Sequence, residues 1–96
     1  MELTHVEGDD RIPVTVFSLS TCGHCRATKS FLEERGIAYD FVDVDLLEGD
    51  AFTVAYDEVK AYNPQGSFPT IVIGEEETVV VGGRLDEIAA ALGLSL

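Results

Sequence analysis

Two cysteines separated by two residues, placed where a β-branched run gives way to a helix-forming one, constrain this chain more than any other feature. Pro13-Val14-Thr15-Val16-Phe17-Ser18 reads as a strand bounded by polar residues. Cys22-Gly23-His24-Cys25 follows it, and the next dozen residues read as a helix that Gly36 ends. The first cysteine therefore sits at a helix start, where unpaired backbone N–H groups and the positive end of the helix dipole stabilise a thiolate. Residues i and i+3 share a helix face, so the Cys25 thiol is within reach of Cys22 and lies deeper. The roles this predicts are nucleophile for Cys22 and resolving thiol for Cys25. A disulfide between them closes too small a loop to staple a fold, which leaves catalysis or metal as their purpose. The spacing is also that of half a zinc site. The two histidines of the chain are the only further soft ligands, and one of them, His24, lies between the cysteines. A four-ligand metal site within one chain is not expected.

The remaining pattern places that junction in an α/β order. Ser20 and Thr21 are candidates to cap the first helix, about residues 23–35, with Ala27, Phe31 and Leu32 inward and Lys29 and Glu33 paired outside. Ile37 to Val44 reads as a second strand, which makes a parallel βαβ unit. Asp50 is expected to cap a second helix over about 51–62, with Phe52, Ala55, Val59 and Tyr62 as its buried stripe and Asn63-Pro64 as its stop. Thr70–Ile73 and Thr78–Val81 read as an antiparallel hairpin around Gly74-Glu75-Glu76-Glu77. Gly82-Gly83 breaks the last strand. A final helix follows, with Leu85, Ile88, Ala89 and Leu92 inward and Asp86 and Glu87 in its first turn, where acids are favoured. The order β-α-β-α-β-β-α predicts a mixed four-stranded sheet covered by three helices. Residues 1–12 read as a polar lead-in with weak structure, with His5 a solvated tail residue, and residues 13–96 as the folded domain.

Charge excludes several classes of function. The 96 residues carry 18 acidic and 6 basic side chains, a net charge of −12. That balance disfavours nucleic acid and anionic membrane surfaces as partners. No run is long and apolar enough to span a bilayer. The first 13 residues lack the basic start and apolar stretch of a secretory signal, so a cytoplasmic location is expected. No dehydrogenase, kinase or hydrolase constellation is present; Gly82-Gly83 lacks a phosphate-loop pattern and its lysine.

With these residues in order, the chain resembles the glutaredoxins of the thioredoxin superfamily from about Pro13 to Leu92. Three features carry the resemblance: Cys22-Gly23-His24-Cys25 after the first strand, Ser67-Phe68-Pro69-Thr70 before the third, and Gly82-Gly83 with Asp86 at the start of the last helix. The resemblance implies a thioredoxin-like fold and a cis bond before Pro69, with Phe68 and Pro69 facing an extended substrate. It also implies that Gly83, Arg84 and Asp86 contact the γ-glutamyl end of glutathione. It implies a thiol–disulfide oxidoreductase acting as a monomer on protein disulfides or glutathione mixed disulfides, with no tightly bound cofactor. Electrons would come from glutathione or a flavoenzyme of the thioredoxin-reductase kind. The alternative the family offers is a non-enzymatic dimer that holds an iron–sulfur cluster through glutathione and the first cysteine of each chain.

The chain departs from the family pattern in three places. Gly-His replaces the common Pro-Tyr between the cysteines. Leu19 stands where a basic residue commonly pairs with a glutathione carboxylate, and Leu85 where a hydroxyl or acid is frequent. His24 is expected to couple electrostatically to the thiolate beside it, making the disulfide form more oxidising. Arg26, Lys29 and Arg84 are the cations left to meet an anionic substrate.

Overall fold

The apolar pattern divides between two faces of one sheet. A computed structural model describes residues 2–94 and gives the order β1 (Thr4–Val6), β2 (Val14–Ser18), α1 (Gly23–Glu34), β3 (Tyr39–Asp43), α2 (Gly49–Tyr62), β4 (Thr70–Ile73), β5 (Thr78–Val81) and α3 (Leu85–Leu92), with a short 3-10 turn at Val44–Leu46. The strands lie in the order β1-β3-β2-β4-β5. β2 and β3 are parallel, joined by α1, and every other neighbouring pair is antiparallel. Alternation along β2 sends Val14 and Val16 to one face and Phe17 to the other. On the first face Val16, Ile71, Ile73 and Val80 meet Phe31 and Leu32 of α1 and Ile88, Ala89 and Leu92 of α3. On the second, Phe17, Val42, Val44 and Val72 meet Ala55 and Val59 of α2. Burying a side chain of this size contributes roughly 1.5–3 kcal/mol, so the two apolar layers fix which helix covers which face.

Several expectations need correction. The sheet has five strands, not four, because residues 4–6 of the presumed lead-in pair antiparallel with β3 as an edge strand. His5 is opposite Asp40 in that pairing, and its Nδ1 lies 2.8 Å from an Asp40 oxygen, so it is not an unpartnered tail residue. Further along, Asp9 N–H donates to Gly36 O at 2.8 Å and Asp9 O accepts from Ala38 N–H at 3.0 Å. Gly8 permits that approach, since a Cβ there would lie 2.6–2.7 Å from backbone atoms of Gly36, Ile37 and Ala38.

Neither expected cap forms. Cys22 itself caps α1, and Glu48 precedes α2 with no capping side chain. Ser20 is taken by Asp45, through its N–H at 2.8 Å and its hydroxyl at 2.5 Å. Ala27 is exposed; Cys25, Thr28, Phe31 and Leu32 are the buried positions of α1. Lys29 turns from Glu33 to Asp43, at 3.0 Å, while Glu33 accepts the Tyr39 hydroxyl at 2.7 Å. Phe52 is 40% exposed rather than buried.

Candidate active site

The cysteine pair is assembled by backbone first. After β2 the chain turns tightly, Cys22 N–H donating to Leu19 O at 3.3 Å, and Arg26 N–H donates to Cys22 O at 3.1 Å as the first helical bond. Cys22 keeps an extended conformation, and its Sγ accepts the N–H of Cys25 at 3.1 Å. The sulfur thus occupies the place a serine or aspartate oxygen takes at other helix starts. Both cysteines are free; Cys22 is half-buried and Cys25 fully buried. Burial, followed by the hydrogen bond to Cys22, pushes the Cys25 thiol up to about 12. A backbone hydrogen bond at Leu19 and the Lys29 charge act the other way.

The segment before β4 is held against this corner from below. The Phe68–Pro69 peptide is cis, as the resemblance implies, and Pro69 is fully buried while Phe68 is half-exposed. Asn63, buried at the end of α2, donates from Nδ2 to Ser67 O at 3.2 Å and is within 3.0 Å of Ser67 Oγ and 3.1 Å of Thr70 Oγ1. Thr70 Oγ1 donates to Ser67 O at 2.8 Å, so the chain is tied on both sides of Pro69. Phe68 stacks on Tyr56 at a centroid distance of 6.2 Å, and Tyr56 stacks on Phe52 at 5.7 Å. The Tyr56 hydroxyl donates to Gly66 O at 3.3 Å. Asn63 and Tyr56 are supports that the sequence reading missed. Phe52 and Tyr56 stand four residues apart and so share a helix face, but nothing local ties that face to Phe68.

The Gly-Gly turn closes the third side. Gly82 N–H donates to Pro69 O at 2.9 Å, and Gly83 lies directly against the His24 side chain. Arg84 precedes α3 and pairs with Glu87 at 3.0 Å; Asp86 is exposed in the first turn of α3. Cys22, His24, Pro69 and Gly83 therefore belong to one corner, linked by Pro69–Gly82 and Gly83–His24. Of the three cations available to an anion here, Lys29 is committed to Asp43 and Arg84 to Glu87. Arg26 is exposed, has no carboxylate partner among the described residues, and lies one helical turn beyond Cys22 on the same face. Among the described residues no three His, Cys, Asp or Glu side chains gather as a metal site, and no helix is long and apolar enough to cross a membrane.

The family model for glutaredoxin matches residues 14–78, well over half of the chain and including both cysteines and Pro69. The chain belongs to the glutaredoxin family. Among solved structures, a glutaredoxin from Methanosarcina mazei is 41% identical, with a TM-score of 0.85 over 96% of this chain and 88% of that one. A methanoredoxin from Methanosarcina acetivorans is 38% identical, with a TM-score of 0.84 over 91% of this chain and 90% of that one. A glutaredoxin from Archaeoglobus fulgidus is 26% identical, with a TM-score of 0.78 over 86% of this chain and 88% of that one. Glutathione S-transferase Z1 of Arabidopsis thaliana is 29% identical over 68 residues, 71% of this chain; the chain spans only 28% of that relative's length. The glutaredoxin domain seen here has the thioredoxin-like α/β fold, with the short edge strand β1 added.

Proposed function

We propose that this glutaredoxin-family chain reduces disulfides of proteins or of glutathione adducts, with Cys22 attacking and Cys25 resolving. The observation that carries the reading is the division of the cysteine pair: a half-buried Cys22 sulfur capping α1 and a fully buried Cys25 thiol pushed up to about 12. The Cys22 thiolate attacks one sulfur of the substrate disulfide, forms a mixed disulfide and expels the other sulfur as a thiolate. Cys25 then gives up its proton and attacks the Cys22 sulfur. The second substrate thiolate leaves, and a Cys22–Cys25 disulfide remains. Two electrons from a dithiol or from two thiols restore the reduced pair. The high proton affinity of Cys25 keeps it out of the first step and makes its deprotonation the costly part of the second.

Glutathione is the reductant we assign, with a flavoenzyme of the thioredoxin-reductase kind as the competing donor. A buckwheat glutaredoxin that shares the fold at a TM-score of 0.62 is found in complex with glutathione. Phe68 and Pro69 offer the edge against which an extended substrate lies, and Gly83 and Asp86 the opposite side. Arg84 pairs with Glu87 in an exposed contact that a substrate can displace, whereas Arg26 has no carboxylate partner among the described residues, so we assign Arg26 to a substrate carboxylate beside Arg84. A reducing compartment such as the cytoplasm suits this direction of electron flow.

Turnover assays test the assignment. Cys22→Ser is expected to abolish reduction of every disulfide, and Cys25→Ser to keep activity on glutathionylated substrates while losing it on protein disulfides. Full activity of Cys22→Ser contradicts the reading. Arg26→Gln is expected to raise KM for glutathione disulfide about 3–5-fold, the worth of one exposed charge contact. It is expected to leave the neutral bis(2-hydroxyethyl) disulfide unchanged. An equal effect on both substrates removes Arg26 from anion recognition.

A further inference from the structure

The two glycines of the Gly82-Gly83 turn are required for different reasons. Gly82 has a φ of +86°, a conformation other residues adopt at a cost, and a Cβ added there would meet nothing within 4 Å. Gly83 is the reverse case. Its φ lies outside the left-handed region, so its backbone accepts any residue, but the space beside it is taken. A Cβ on Gly83 would lie 2.9 Å from Nδ1, 3.1 Å from Cβ and 3.2 Å from Cγ of His24. These are closer than carbon atoms pack, and two of the three belong to the root of the side chain rather than its mobile end. The turn has little freedom to yield. Gly82 N–H is held by Pro69 O at 2.9 Å, Gly83 O accepts from Leu85 N–H at 3.1 Å, and α3 then runs directly to the fully buried Ile88. An added methyl group therefore swings the imidazole away about χ1, which moves Nδ1 and Cγ, and the remaining 3.1 Å contact with the His24 Cβ is taken up by a small shift of the turn.

We infer that Gly83 is the positioning residue for His24: the bare Cα seats the imidazole against the turn and so fixes where it stands relative to the Cys22 sulfur. His24 is the only side chain between the two cysteines, and its backbone is locked in α1, where its carbonyl accepts the Thr28 hydroxyl at 2.9 Å. Its rotamer is the one remaining freedom, and in the structure the exposed imidazole packs on the bare Cα of Gly83 from across the cleft. This inference rests on the reading of Cys22 and Cys25 as a redox couple. It assigns Gly83 a task toward the protein itself, apart from any contact with substrate.

A double-mutant cycle tests it. The equilibrium constant of the Cys22–Cys25 couple is measured against a glutathione redox buffer for the natural chain, Gly83→Ala, His24→Ala and the double variant. Gly83→Ala is expected to move the constant at least about threefold in the same direction as His24→Ala, and to move it less than about 1.5-fold once His24 is gone, as coupled neighbours do. The same fold-change of Gly83→Ala with and without His24 overturns the inference, as does a constant that neither substitution moves. NMR of the reduced protein supplies a readout that needs no redox activity. A contact between the His24 ring protons and the Gly83 Hα is expected in the natural chain, and its absence also overturns the inference. Failure of Cys22 and Cys25 to form a disulfide in any buffer, with that ring contact present, removes the redox reading and leaves the seating of His24 standing.

Discussion

At the scale of single residues, the two cysteines differ in what surrounds each sulfur. Cys22 receives a backbone N–H and is half-buried; Cys25 is fully buried, with its thiol pushed up to about 12. Because the thiolate is the reactive form, iodoacetamide at pH 8 is expected to label Cys22 at least about 100-fold faster than Cys25 in the folded protein. Labelling of Cys25 is expected to rise only as pH climbs toward 12. Comparable labelling at pH 8, read by peptide mass mapping, contradicts that division. The cysteine motif, Pro69 and the Gly-Gly turn were all legible in the sequence, because each is a short signature with its own mechanical reason. Partners brought from far along the chain were not. Ser20 looked like a cap until Asp45, twenty-five positions on, bound both its N–H and its hydroxyl. Lys29 had Glu33 at helical spacing, yet the half-buried Asp43 outcompetes it, with Phe41 beneath the ammonium at 4.0 Å. Nothing local distinguishes these outcomes.

At the scale of elements, the strands and helices with a strong apolar period were legible, and the three-residue β1 was not. Thr4-His5-Val6 is short, lies among acids, and is a strand only because β3 offers it an edge. Gly8, just beyond it, is where the chain comes closest to the backbone of residues 36–38. The β1–β3 pairing carries a pH dependence. His5 has its proton affinity raised, first by the hydrogen bond to Asp40 and then by the charges of Asp40, Glu7 and Asp10. A histidine raised in the folded state stabilises that state fully below its ordinary value near 6.5, and the contribution is lost as pH rises through the raised value. Hydrogen exchange corrected for intrinsic rates is expected to show β1 amides better protected at pH 6 than at pH 8.5, and His5→Ala is expected to erase the difference. Protection that does not depend on pH, or that survives in His5→Ala, contradicts this account. Covering the edge of β3 in this way also removes a row of unpaired backbone groups from the surface.

At the scale of the whole molecule, the sheet brings three separate stretches of sequence to one corner: the α1 start, the loop before β4 and the turn before α3. Two contacts bind them, Pro69 with Gly82 and Gly83 with His24. The fold class followed from the order of elements, whereas these contacts depend on how two layers pack and had no sequence signal. At this end of the molecule Lys29 and Arg84 each pair with a carboxylate, and Arg26 has no carboxylate partner among the described residues. The central claim is the division of labour between the cysteines, and trapping the mixed disulfide tests it most directly. Cys25→Ser treated with glutathione disulfide is expected to gain the mass of one glutathione, mapped to Cys22, and to hold it until a second thiol is added. Under the same treatment Cys22→Ser is expected to remain unmodified. A stable adduct on Cys25 of the Cys22→Ser variant, or none on Cys22 of the Cys25→Ser variant, contradicts the assignment.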